Sequence, residues 1–551
     1  MDSSRADFVD YDVIAAFFPQ KKKMKTSPWQ KVCKLFIDMS EDKKTSEQES
    51  FDLSFTGKSA WKTMKNELTS KNLMNIFQIN QEDQNLEDRL HSADSVLSVT
   101  QINIHQFPAT FIPDLILEKI QNNELNNIPL AEEFNGIVMF ADISGFTSLT
   151  EIYSNSSRGI DELTRTLNDY IGAVVARIIS ANGDIIKFAG KSYFSNLCFK
   201  GDALLCLWRE DQDLGEILES VTDCSLCIQQ EKGEQNTSVG VKLKIKLAIA
   251  VGHLKMLCYG VPDSFLLYSL VGPTIVSLQK TQDLCKAGDI ILDVNAWELL
   301  KDKGIHSNYD IETLNTGHVR ILRKLTDVEA FEMKDRYEKI HDCTSENISQ
   351  FLLPVIKNID SLRQLEFMSE MRQVTIVFIS LPNIDVSDVE LIGSVFTASY
   401  TPINETGGVL NKAVMFDKGC TFLAVFGLPG FKQKNDSASA LQCAAKVTKA
   451  LVDLSLDSSI GITTGNTLCG IVGHPHRQEY TVIGRKVNLA ARLMVYYSHV
   501  RIICDKDTYF KSRKDIGESS FQELEAKELK GMSNVGSVYM YKWDARERQE
   551  M

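Results

Sequence analysis

A single carboxylate at the end of an apolar run is the first group in the chain that could do chemistry. Residues 136–141 are apolar and short enough for a buried strand, and Asp142 stands where such a strand would end. Ser144 and Gly145 follow it and open a helical pattern. An oxygen ligand beside a helix N-terminus suits a hard divalent cation and phosphate oxygens. The simpler interpretation is that Asp142 caps that helix, and the octet 140–147 alone favours the cap by roughly two to one.

Composition and charge limit the partners that such a site could serve. The chain has 551 residues, enough for roughly two to four domains, and its 43% hydrophobic and 24% charged residues are typical of a folded protein. A net charge of −13 disfavours broad binding to nucleic acid or to an anionic membrane. Twelve scattered cysteines, a polar N-terminus and no bilayer-length apolar run predict a soluble, cytoplasmic protein, with membrane-peripheral or organelle pools as alternatives.

Hydrophobic periodicity indicates one α/β fold that occurs twice. From Gly136 the pattern reads strand, helix, strand, strand, helix, strand, and a similar series begins again at Val374. The weakly patterned N-terminal part predicts a poorly ordered extension. The expected order is the extension (1–100), a first domain (101–300), a linker (301–370) and a second domain (371–545).

The two copies differ in the residues that could do chemistry. Aligning them puts Ser380 in the place of Asp142 and Cys420 in the place of Asp202, so the second copy lacks both candidate metal ligands. The second copy instead offers Asn488 and Arg492, which are four residues apart and share one face of a predicted helix. We therefore expect one composite site at the interface, with metal and phosphates on the first copy and base, ribose and transition-state charge on the second.

At four places the sequence resembles the class III nucleotidyl cyclases, and within them the catalytic region of the soluble, bicarbonate-type adenylyl cyclases. The segments, in chain order, are 140–147, 187–190 with 201–205, 415–420 and 479–492. The resemblance implies two tandem ferredoxin-like βαββαβ domains, of the α/β (α+β) class, that pair within one monomeric chain as a pseudo-heterodimer. It also implies conversion of ATP to 3′,5′-cyclic AMP and pyrophosphate for intracellular signalling.

The resemblance also assigns roles to individual residues. Two divalent cations, Mg²⁺ with Mn²⁺ or Ca²⁺ as alternatives, would be held by Asp142, Asp202 and the carbonyl of Ile143. Arg492 would stabilise the transition state and Asn488 would orient the ribose. The substrate-binding set implied in this way is Ser144, Gly145, Phe146, Thr147, Lys246, Lys412, Thr481, Val482, Asn488 and Arg492.

Within that set, Lys412 and Thr481 resemble the pair that reads adenine. The lysine would donate to a ring nitrogen and the hydroxyl would accept from the exocyclic amine. Taken singly, a surface lysine and a strand threonine are strong alternative explanations, but these are weak for the two residues taken together with Asn488 and Arg492. A departure from the family pattern is the insert 191–201 immediately before Asp202. It supports an alternative function, a catalytically impaired cyclase-like protein that binds nucleotide or a partner.

A second, degenerate pocket between the halves binds bicarbonate in the family that the sequence resembles. Lys187 matches its basic residue, and Leu270 and Met415 match its apolar wall. The arginine of that pocket is replaced by Gln279. Because a neutral amide binds an anion less well than a guanidinium, we expect a weak or absent bicarbonate response.

Overall fold

The computed structural model describes the greater part of the chain from Phe107 onward. The described residues are 107–125, 127–153, 159–189, 203–326, 348–357, 359, 364, 368–416, 419–525, 527, 529 and 535–543. All of them belong to one compact unit, which begins after Leu97. The expected extension 1–100, the insert 191–201 and Asp202 lie outside the described residues.

The first half of this unit is built around a long antiparallel strand pair. Its strands are β1 (Leu130–Ser144), β2 (Asp184–Ala189), β3 (Ala203–Arg209), β4 (Glu234–Asn236), β5 (Lys242–Val261), β6 (Phe265–Val271), β7 (Ile290–Leu292), β8 (Tyr309–Thr313) and β9 (Val319–Lys324). Its helices are α1 (Asp114–Gln121), α2 (Phe146–Tyr153), α3 (Gly159–Ser180), α4 (Leu214–Lys232), α5 (Pro273–Leu284) and α6 (Val294–Asp302).

The second half repeats much of this series after a short helical turn, α7 (Pro354–Lys357). Its strands are β10 (Glu370–Pro382), β11 (Gly408–Phe416), β12 (Gly419–Phe426), β13 (Ser459–His474), β14 (Arg477–Ile483), β15 (Ile502–Asp505), β16 (Phe521–Leu524) and β17 (Val538–Tyr541). Its helices are α8 (Val389–Glu405), α9 (Asp436–Asp453), α10 (Arg485–Tyr496) and α11 (Lys506–Ile516).

The two sheets have the same strand order. The nine-stranded sheet runs β2-β3-β1-β5-β7-β9-β8 and the eight-stranded sheet runs β11-β12-β10-β13-β15-β17-β16, while β6 pairs with β5 as β14 pairs with β13. Each half therefore contains a βαββαβ core, which confirms the predicted duplicated fold. The sheet of the first half extends through β9 to Lys324, beyond the boundary expected at residue 300, because β9 pairs with β7.

Apolar spacing explains why the helices cover the sheets. In α3, Leu163, Leu167, Ile171 and Val174 recur at helical spacing, and all four are buried in one core cluster with strand residues. Burial of each such side chain contributes about 1.5–3 kcal/mol. The helix ends at Ser180, and the positive-φ residue Asn182 (φ 58°) then turns the chain into β2.

Contacts between the halves come from both sides of the interface. Helix α3 of the first half packs against β13 of the second, and β6 packs against β11. In the part of the chain that the structure describes, none of the helices combines the length and apolar character needed to cross a bilayer.

Candidate functional site

The strand pair β1–β5 places a lysine beside the carboxylate of Asp142. The two residues are direct partners in the antiparallel register, and Lys246 Nζ lies 3.3 Å from Asp142 Oδ2. Their side chains are only 13% and 11% exposed. Gln282 of α5 also donates to Asp142 Oδ2, over 3.4 Å. Among the described residues, the carboxylate thus faces a cation and an amide donor and does not cap α2.

Oxygen donors at this strand end fit a hard divalent cation. The carboxylate of Asp142 is buried and the carbonyl of Ile143 follows it, and both are oxygen donors of the kind that such a cation prefers. The ammonium of Lys246 neutralises this carboxylate in the structure, so a bound cation would take over that contact. Ala203, the first residue of β3, pairs with Asp142. Asp202 lies outside the described residues, and within them no group of three or more His, Cys, Asp or Glu side chains could hold a metal ion. Of the two carboxylates expected to bind metal, Asp142 is thus the one that the structure describes.

The turn from β1 into α2 is tightly constrained. Gly145 has φ +112°, and a Cβ there would lie 2.7 Å from the carbonyl oxygen of Lys242, so only glycine fits. Ser144 is exposed and its hydroxyl donates to the carbonyl of Lys244 over 3.2 Å. The ring of Phe146 is fully buried, edge-on to Tyr170, so any contact of Phe146 with substrate would be through its backbone. Thr147 lies in α2, and its side chain is outside the described part.

Lys412 meets the first half directly. It follows a register shift in β11, and its Nζ donates to the carbonyl of Phe188 in β2 over 2.5 Å. The same ammonium lies 2.6 Å from Glu479 Oε1, and Glu479 Oε2 accepts from the backbone N–H of Phe188 over 3.2 Å. Asn411 donates to the carbonyl of Tyr480 over 3.2 Å and so ties β11 to β14 at this point. A residue of the first half is thus held on both sides by an ion pair of the second.

The neighbouring Thr481 has a buried hydroxyl. Among the described residues it has no hydrogen-bond partner, and the same is true of the Thr164 hydroxyl on α3. Both residues line one small cavity between the halves, together with Leu167, Leu468 and Gly470. One threonine from each half therefore lines this cavity.

Three other candidates of the second half are buried. Val482 is in the core of β14, and Asn488 and Arg492 lie on α10 with 6% and 8% exposure. The helix packs against β13 and β10, which places these polar side chains on its covered face. Burial of a guanidinium is costly, so its retention on that face is typical of a site that handles negative charge.

The first half has its own lysine at the matching place. Lys187 follows a register shift in β2 as Lys412 does in β11, and its Nζ donates to the carbonyl of Ala413 over 2.7 Å and to the Ser269 hydroxyl over 3.2 Å. Burial lowers the pKa of Lys187 to about 7, while nearby Glu479 opposes the shift. The ammonium also lies 5.6 Å from the centre of the Tyr268 ring.

The other residues of the expected second pocket are buried or partly buried. Leu270 and Met415 are buried, and Gln279 is partly buried on α5. The residue after it, Lys280, is exposed, as expected for a side chain about 100° further round the helix. The described part thus supplies one buried cation and one neutral amide for this pocket.

Sequence reasoning missed Arg477, which is 1% exposed. From β14 its Nε donates to the carbonyl of Ile185 over 2.8 Å and its Nη2 to that of Ile186 over 3.2 Å, both in β2. Its guanidinium lies 5.4 Å from the centre of the Phe188 ring. The sequence also did not predict that Glu479 and Thr164 lie between the two halves. Glu479 was inside a quoted motif, whereas no local signal marked Arg477 or Thr164.

Comparison with known proteins finds a cyclase catalytic domain in the second half of the chain. Residues 367–542 match the family model of the adenylate and guanylate cyclase catalytic domain. Human adenylate cyclase type 10 is 33% identical over 471 residues, which is 80% of this chain and 28% of that protein. The mouse protein of the same name is 33% identical over 78% of this chain and 28% of its own length. The chain thus spans just over a quarter of the length of these curated relatives.

Among solved structures, a class III adenylyl cyclase-like ATP-binding protein from Pseudomonas aeruginosa is similar. It is 12% identical and covers 79% of this chain and 98% of its own, with a TM-score of 0.48.

Proposed function

With residues 367–542 belonging to the adenylate and guanylate cyclase catalytic domain family, we propose that this protein is an adenylyl cyclase. It would convert ATP to 3′,5′-cyclic AMP and pyrophosphate at one site between its halves. The observation that carries the proposal is their chemical complementarity. Asp142 with Lys246 lies at the end of β1–β5 of the first half, whereas the second half has Ser380 and Ser459 at those register positions.

In this reaction the ribose 3′-oxygen forms a bond to the α-phosphorus, its proton is lost, and pyrophosphate leaves. Divalent cations held by Asp142, Asp202 and the carbonyl of Ile143 would lower the pKa of the 3′-hydroxyl and neutralise triphosphate charge. Lys246, already beside Asp142, would contact a phosphate oxygen. The turn at Ser144 and Gly145 would offer backbone N–H groups to the same oxygens.

The second half would hold the nucleoside and the developing charge. Lys412 would donate to N1 of adenine, and the unpartnered hydroxyl of Thr481 would accept from the exocyclic amine. Asn488 would orient the ribose. Arg492 would stabilise the charge that develops on the phosphate oxygens in the transition state, an interaction whose loss costs ~10²-fold or more in rate.

The test is cyclic AMP formation by the full chain with Mg²⁺ or Mn²⁺. We expect product from ATP and little from GTP, with activity reduced at least ~10²-fold in Asp142→Asn because a metal ligand and a charge are lost. Asp302→Asn, which changes an exposed carboxylate at the end of α6, is the matched control and should remain active.

The alternative function is tested in the same assay. A variant that lacks residues 191–201 would gain activity if the insert impairs the enzyme. Wild-type protein that is inactive until this segment is removed would support the impaired cyclase-like protein, and wild-type activity unchanged by Asp142→Asn would refute the proposed site.

A further inference from the structure

A buried glutamine of α5 contacts both functional side chains at the end of the β1–β5 pair. The side-chain amide of Gln282 donates to Asp142 Oδ2 over 3.4 Å, and its backbone carbonyl accepts from Lys246 Nζ over 3.3 Å. We propose that Gln282 is a positioning residue that fixes the Asp142 carboxylate for the binding of a divalent cation. This inference rests on the proposed function.

Helix α5 is firmly mounted on the strands that carry the site. Ile275 and Leu278 are buried in one core cluster with Ala248 of β5. On the same helix, the Ser277 hydroxyl donates to Asp293 Oδ2 over 2.7 Å. Because the helix is fixed and Gln282 is itself buried, its amide has little freedom and restrains the carboxylate that it contacts.

The second half supplies an internal comparison for the backbone contact. Gln282 is the tenth residue of α5, and Met494 is the tenth residue of α10. Ser459, at the register position of Lys246, donates through its hydroxyl to the carbonyl of Met494 over 2.7 Å. The contact between strand side chain and helix carbonyl is thus common to both halves.

The side chains at this helix position differ between the halves. The amide of Gln282 occurs in the half that has Asp142, whereas Met494 occupies the position in the half that has Ser380. Both side chains are buried, so packing of the helix on the sheet is compatible with an apolar residue there. The amide accompanies the carboxylate, and packing alone does not account for it.

A neutral amide suits this position better than a second cation. A bound metal ion would take over the contact of Asp142 with Lys246, because two positive charges beside one carboxylate oxygen repel each other. An amide has no net charge and can stay on Oδ2 while a cation binds. The Lys246 ammonium also lies 3.3 and 3.5 Å from the carbonyls of Gln282 and Cys285, so it keeps two partners when it leaves Asp142.

Two other roles for the amide make different predictions. If Gln282 only fills space between helix and strand, its loss would lower stability and leave the affinity for cations unchanged. If the amide competes with the cation for Asp142, its loss would tighten cation binding. A positioning role weakens cation binding, because a carboxylate without its partner must be ordered when the cation binds.

The test is the binding of Mn²⁺ to the full chain saturated with 3′-deoxy-ATP, which lacks the attacking hydroxyl and is not converted. Electron paramagnetic resonance of free Mn²⁺ gives the dissociation constant of the ion that binds in addition to the one carried by the nucleotide. Gln282→Met introduces the residue found at the same helix position in the second half. It should raise this dissociation constant by about tenfold or more, the usual effect of removing a hydrogen-bond partner of a metal ligand. Binding of 3′-deoxy-ATP in EDTA should be unchanged.

Gln229→Met is the matched control. The amide of Gln229 on α4 donates to the carbonyls of Ile245 and Asp289, over 3.1 and 3.4 Å, and so braces β5 one residue away from Lys246. This variant also loses a glutamine amide, but one that bonds backbone carbonyls and not the carboxylate. It should keep the wild-type dissociation constant for Mn²⁺ even if calorimetry shows a lower Tm.

An unchanged or lower dissociation constant in Gln282→Met, or an equal rise in Gln229→Met, would overturn the inference. In either case, Mn²⁺ binding and cyclic AMP formation that are both lost in Asp142→Asn would leave the proposed function standing. A wild-type protein that binds no Mn²⁺ beyond that carried by the nucleotide, and forms no cyclic AMP, would overturn the function and the inference together.

Discussion

Replacement of Arg477 by methionine should weaken the attachment of the two halves. The side chain keeps a similar length but loses every donor. The carbonyls of Ile185 and Ile186 would then lose their partner from β14. A third donor, to the carbonyl of Gln478 over 2.6 Å, would also be lost.

The size of the effect follows from these contacts. A hydrogen bond to a charged group contributes about 1.5–3 kcal/mol, and two such bonds cross the interface. Part of this loss is offset, because the variant no longer has the desolvation cost of a buried guanidinium. We therefore expect the free energy of unfolding to fall by about 2–4 kcal/mol, or roughly 2–4 °C in Tm for a cooperative unit of this size.

Differential scanning calorimetry on the full chain measures this change. Arg477→Lys keeps the charge but cannot reach both carbonyls with a planar fork, so it should lie between wild type and Arg477→Met. The control Arg501→Met removes an arginine that is 46% exposed and should change the free energy of unfolding by less than about 1 kcal/mol. An Arg477→Met protein that melts within about 1 °C of wild type would refute this account of the interface.

Two further predictions concern Lys187 and Gln279. Burial lowers the pKa of Lys187 to about 7, against about 10.4 in an unfolded chain. From pH 7 to about 10 the unfolded chain therefore binds a proton that the folded chain lacks. The contribution of Lys187 to the free energy of unfolding thus rises with pH over this range. Lys187→Met should remove that rise, as measured by urea unfolding at pH 6.5 and 9, and parallel pH profiles for the two proteins would contradict it. If Gln279 stands where the family has an arginine, as the resemblance implies, bicarbonate should change cyclic AMP formation by less than about twofold and Gln279→Arg should respond more strongly. Strong activation of the wild type that is lost in Gln279→Ala would count against this reasoning.

The duplicated fold could be predicted because its signals are local. Strand and helix periodicity recurs from Gly136 and from Val374, and those two residues indeed occupy equivalent register positions opposite Gly252 and Gly465. The same register places Ser380 where the first sheet has Asp142. A comparison within one chain therefore predicted which half lacks the carboxylate.

The interface residues could not be predicted in the same way. Arg477 and Glu479 bind carbonyl and N–H groups in β2 that are nearly 300 positions away in sequence. Periodicity reports which face of an element is covered and carries no information about the partner. The sheet boundary was also misjudged, because the pairing of β9 with β7 depends on the tertiary fold and not on the weak pattern after residue 300.

The exchange of lysines between β2 and β11 has a consequence for the symmetry of the molecule. Lys187 donates to a carbonyl of the second half, and Lys412 donates to a carbonyl of the first. Such a mutual contact is what a two-fold axis produces between identical subunits. The single chain thus keeps, at this contact, the geometry of a homodimer. Either lysine, if replaced, would loosen the backbone beside the other, so a change at one lysine would be felt at the other.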